Sequence, residues 1–111
     1  MLHILPDGTI SLTRGDTARL TVPITNDLTG EEYTLAETDV LTMSVKRSST
    51  DDDLCFQKVL TGSNMFIIRP EDTRDLIYGK YEYDVQLTTA EGDVYTVVEP
   101  NIFEILPEVT W

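Results

Sequence analysis

Apolar and polar side chains alternate along this chain in short runs separated by turn-forming residues, and no stretch keeps a helical period beyond a single turn. The clearest run lies within residues 79–88. Tyr81, Tyr83, Val85 and Leu87 fall on one face and Lys80, Glu82, Asp84 and Gln86 on the other, which predicts a strand with one buried side, placed centrally in its sheet. Just upstream, Leu76-x-x-Gly79-x-Tyr81 matches the tyrosine corner of Greek-key sandwiches. There a Tyr at the start of one strand sends its hydroxyl back to a backbone group a few residues earlier; a plain hairpin start is the other reading of the same residues.

The rest of the chain divides in the same way. Residues 1–5 predict a short strand, closed by the turn Pro6-Asp7-Gly8, and residues 9–13 alternate with Ile10 and Leu12 on one face. Arg14-Gly15-Asp16-Thr17 is a tight reversal, with Gly15 supplying a conformation other residues resist and Asp16 able to bond the backbone two residues on. A second run sets Ala18, Leu20, Val22 and Ile24 against Arg19, Thr21, Pro23 and Thr25, and Pro23, lacking an N–H, implies a free side or a bulge. Residues 26–37 read as a loop plugged to the core by Tyr33 and Leu35. Asp39 opens a strand in which Leu41, Met43 and Val45 share a face, and residues 48–53 form a polar, acidic loop. Residues 54–60 and 65–69 are strands whose connection, Thr61-Gly62-Ser63-Asn64, suits a hairpin. Pro70 followed by Glu71-Asp72-Thr73 reads as one helical turn. After the 79–88 strand, Thr89-Ala90-Glu91-Gly92 returns the chain as residues 94–98, and Pro100-Asn101 breaks it before a last strand over 102–106. Seven or more short strands at turn spacings of about 8–12 residues predict one all-β domain over residues 1–111, an Ig-like antiparallel β-sandwich with Greek-key connections. A small β-barrel shares that periodicity.

Composition narrows the partners. Twenty acidic residues against eight basic ones give a net charge of -12, and the only adjacent basic pair is Lys46-Arg47, so nucleic acid and anionic membranes are not expected as partners. A chain so charged repels its own copies at a distance, and any assembly would have to run through apolar or β-edge contacts. Cys55 is the only cysteine, which removes an internal disulfide and points to a reducing compartment. Residues 2–5 are interrupted by His3 and closed by Pro6, so no signal peptide is expected, and no run reaches the roughly 18 apolar residues of a transmembrane segment.

Chemistry finds little to work with. His3 is the sole histidine and has no sequence-local partner that would make it a base for Cys55 or a serine, so no catalytic residues are assigned and an enzyme is not expected. One Cys and one His cannot build a zinc site. Asp51-Asp52-Asp53, with Asp27, Glu31 and Glu32, offer oxygen donors for calcium, but consecutive aspartates lack the spacing of a calcium loop. No metal and no cofactor is therefore assigned. Arg14-Gly15-Asp16 spells a tripeptide read by adhesion receptors, yet its turn chemistry accounts for it more simply.

Taken as an ordered set, Arg14-Gly15-Asp16-Thr17, Asp39 before Leu41-x-Met43-x-Val45-Lys46, Pro70-x-Asp72-Thr73, Gly79-Lys80-Tyr81-x-Tyr83-Asp84-Val85-x-Leu87 and Tyr95-Thr96-Val97 resemble small phage and prophage structural proteins of Gram-positive hosts. The set is similar in particular to the Ig-like N-terminal domain of the upper baseplate protein family, without the helical or receptor-binding extension of its longer members. That resemblance implies a non-enzymatic structural or assembly protein of a phage tail or baseplate. Its partners would be copies of itself or other tail components, and its location the bacterial cytoplasm where it is made and then the virion. A calcium- or carbohydrate-dependent adhesion module is the alternative. Structural positions are Leu76, Gly79, Tyr81, Gly15 and Asp16; the expected interface is Ile102, Phe103 and Ile105 of the last strand together with Trp111, large apolar groups near a chain end.

Overall fold

The computed structural model describes residues 3–4, 8–25, 30–48 and 54–107, the first pair by backbone alone. Trp111, Asp51–Asp53, Asp27, the His3 side chain and most of the turn at Pro6 lie outside the described residues. Within them the order is β1 (His3–Ile4), β2 (Ile10–Thr13), β3 (Ala18–Thr21), β4 (Val40–Lys46), β5 (Leu54–Thr61), β6 (Met65–Ile68), α1 (Pro70–Thr73), β7 (Gly79–Thr88) and β8 (Val94–Leu106). One sheet runs β1-β2-β8-β7-β4-β5 and the other pairs β3 with β6. The chain therefore changes layer on entering and on leaving both β3 and β6, the Ig-like Greek-key arrangement of an all-β sandwich.

Alternation decides which residues become core. β4 buries Leu41, Met43 and Val45, β7 buries Tyr81, Tyr83, Val85 and Leu87, and the facing layer contributes Leu20, Phe66 and Ile68, all at most 5% exposed. Each such side chain contributes about 1.5–3 kcal/mol on leaving water. At the centre Phe103, fully buried, meets the edges of Phe56 at 5.8 Å and Tyr83 at 6.2 Å, both near-perpendicular.

Four expectations are corrected. The large sheet is mixed rather than wholly antiparallel: β2 pairs with β8 in parallel, Ile10 beside Phe103 and Leu12 beside Ile105. Because Arg14–Asp16 sends the chain into the other layer instead of back along β2, the place beside β2 is left for the last strand. That register lets both strands bury the same face. Second, β5 and β6 are not a hairpin, since β5 pairs with β4 and β6 with β3. Gly62, at φ +69°, turns the chain across the gap between layers, its N–H donating to the Asp39 carbonyl at 2.8 Å and its Cα so close that a Cβ would stand 3.0 Å from the Glu37 carbonyl oxygen. Third, Pro100 does not end β8. Tyr83 pairs with Asn101 and Val85 with Val98, so Glu99 and Pro100 bulge out opposite the single residue Asp84, where a missing N–H costs no ladder bond. Fourth, the strand expected over 18–25 forms a ladder only to Thr21, two residues before Pro23, although Val22 and Ile24 still face inward.

One end of the sandwich is held by side chains from the turns. The Tyr81 hydroxyl donates to the Ile77 carbonyl at 2.6 Å, closing a tyrosine corner, while Leu76 packs half-buried against the core and Gly79 opens β7 opposite Ile105. Thr73, the buried last residue of α1, accepts the Gly15 N–H at 2.9 Å, and the Asp16 N–H closes the β2–β3 turn on Thr13 at 3.1 Å. Gly15 holds φ +84°, the conformation this reversal requires. Arg14 lies over the Tyr78 ring at 4.3 Å and donates to the Tyr78 hydroxyl and the Leu76 carbonyl. The Arg-Gly-Asp tripeptide thus joins β2 to the corner. Lys58 occupies an inward position on edge strand β5 and reaches Asp72 of α1 at 2.6 Å. A charge pointing inward from an edge discourages a further strand from adding there.

Candidate functional site

Two concavities lined by described residues bear on function. The first lies on the outer face of the large sheet, where the polar halves of β4, β5 and β7 put Ser44, Lys46, Gln57, Glu82, Asp84 and Gln86 around a volume of about 350 Å³. Gln57 donates to Ser44 at 3.0 Å across the β4–β5 pair. Asp84 sits opposite the β8 bulge, and Pro100 completes the wall. Partial burial raises the Asp84 carboxyl above the ordinary carboxylate range, with the Lys46 charge opposing the shift.

A carboxyl raised by burial is held more tightly as the acid in the fold than in the unfolded chain. Its contribution to stability is therefore complete at low pH and declines as pH rises from the ordinary carboxylate range through the folded value. Asp84→Asn is expected to raise the melting temperature at pH 7 relative to the parent, with the gap closing as pH falls toward 4; paired thermal melts across that range provide the check.

The second concavity is larger, about 780 Å³, and lies at the opposite end of the sandwich from the corner, between the β7–β8 hairpin and the segment that follows β3. Its geometry starts at Asp39, only 3% exposed, whose carboxylate accepts the Tyr33 hydroxyl at 2.7 Å and the Ala36 N–H at 2.9 Å. The bond to Asp39 raises the Tyr33 hydroxyl pKa, helped by burial and by the nearby charges of Asp39 and Glu91. Leu87 and Ile24 form the buried floor. Tyr95 stands opposite Leu87 on β8, an inward position by register, yet remains 54% exposed. The facing layer of four-residue strands ends too soon to cover it. Glu91 and Asp93 line the hairpin side of the opening.

The expected interface divides. Phe103 and Ile105 are 0% and 1% exposed and belong to the core, because their side of β8 faces the β3–β6 layer. Ile102 points outward and is 37% exposed, and Trp111 is outside the described residues. Cys55 is half-buried and packs against the core. Among the described residues no three of His, Cys, Asp and Glu stand together as a metal site, and no helix is long and apolar enough to cross a membrane. The pairing of Tyr33 with Asp39 and the exposed Tyr95 escape a reading of the sequence as site residues; their signals are a plug residue and a carboxylate opening a strand. No protein-family model matches the chain, and no curated protein is significantly similar to it.

Proposed function

We propose that this chain is a non-enzymatic structural protein that works by protein–protein contact, as a tail or baseplate component of a phage or prophage particle. The observation that carries the contact role is the exposure of paired apolar groups on a chain of charge -12: Ile77 at 67% with Tyr78 at 42%, and Val94 at 57% with Tyr95 at 54%. Such pairs at the two ends of a sandwich are the kind of surface that association removes from water. The phage assignment is supported by the resemblance alone, and its residues occupy the β2–β3 turn, β4 with the Asp39 before it, α1, β7 and the start of β8.

Mass spectrometry of particles induced and purified from the organism that encodes the chain tests this reading. The chain is expected in the tail or baseplate fraction at a fixed ratio to the other tail proteins. Its consistent absence from intact particles overturns the proposal.

A further inference from the structure

We propose that the groove between Tyr33 and the β7–β8 hairpin receives a basic segment of a protein partner, with an arginine or lysine side chain lying on Tyr95 and its charge meeting Glu91 and Asp93. This deepens the assembly reading and rests on it. Three properties of the groove select that chemistry. Its floor and wall are apolar and aromatic, Ile24 and Leu87 buried beneath Tyr33 and the exposed Tyr95 ring. Its charged lining is acidic, Glu91 and Asp93, and no lysine or arginine among the described residues lines it. The Tyr33 ring is fixed by its hydroxyl bond to the buried Asp39, so one wall is set before anything binds.

A cationic side chain satisfies all three at once. Its aliphatic stem covers the apolar floor, its head attracts the face of a tyrosine ring, and the carboxylates supply the opposite charge. An acidic segment, or the anionic surface of a second copy of this chain at -12, meets repulsion at the same place. Edge pairing along β5 is discouraged by the inward Lys58.

The test uses a fluorescent nine-residue peptide carrying three arginines, and the same peptide with citrulline in their place, titrated against the full chain at fixed moderate salt. The arginine peptide is expected to bind and the neutral one to bind at least tenfold more weakly. Tyr95→Ala and the double variant Glu91→Gln with Asp93→Asn are each expected to weaken binding roughly tenfold. Glu82→Gln, in the other groove, should change it less than about twofold. The double variant alters only exposed side chains, so it stays informative should Tyr95→Ala fail to fold. Absence of arginine-peptide binding overturns the proposal. So does a loss at Glu82→Gln equal to that at the hairpin acids, which would mark attraction by net charge alone, or unchanged binding when the groove variants are folded. The outcome is separable from the particle assay: a chain found in tails whose groove ignores arginine loses only this inference, and a chain missing from particles whose groove binds as described loses only the phage role.

Discussion

Phe103→Ala is expected to remove about 3–5 kcal/mol of folding stability, the range for emptying a buried aromatic site. The side chain is fully buried, sits between Phe56 and Tyr83, and belongs to the strand that joins β2 to β7. Its neighbours come from three strands of one sheet and cannot all close on the space it leaves. Against a total stability of about 5–15 kcal/mol for a domain of this kind, the loss is severe. With a urea slope of about 1–3 kcal/mol per molar, the unfolding midpoint should fall by roughly 2 M. Ile102→Ala, one residue earlier and facing outward, should cost about 1 kcal/mol or less. Equal midpoints for the two variants would mean that the phase of β8 is other than described.

The second large effect is at the corner. Tyr81→Phe keeps the ring and removes only the hydroxyl that donates to the Ile77 carbonyl at 2.6 Å, so it isolates one hydrogen bond. The expected loss is about 1–2 kcal/mol, a net hydrogen bond plus some of the cost of a carbonyl left poorly paired. Because that bond fixes the path from α1 into β7, amide exchange should quicken at residues 74–79 more than in β4. A loss of stability spread evenly, with no local change in exchange, would show that the corner does not hold this segment.

How much of this is readable in the residues depends on how local each cause is. β7 can be recognised because its two faces meet different surroundings, core on one side and water on the other, and the difference is written into every second residue. The corner is likewise visible, since all its components fall within residues 76–81. The parallel pairing of β2 with β8 leaves no local trace: Ser11 and Glu104, side by side in the ladder, are 93 positions apart. Alternation places Phe103 and Ile105 on one face and Ile102 on the other without saying which faces inward. The groove is hidden for a related reason. Pairing with Leu87 puts Tyr95 on the inner face, a register that the bulges of β8 hide from the sequence, and its exposure depends on how far the β3–β6 layer reaches, a length set by Pro23 on one strand and by the turn after Gly62 on the other.

The parallel seam between the first and last long strands also determines how the domain answers to tension. A pull transmitted from before Ile10 to beyond Leu106 first peels the two-residue β1 and then drags β2 and β8 past each other lengthwise. The ladder bonds from Ile10 to Thr13, with the added bond from the Arg14 N–H to the Leu106 carbonyl, then bear the load together instead of opening in succession like a zipper. Force along that axis meets a shear lock, whereas force across the β7–β8 hairpin meets a seam that unfastens rung by rung.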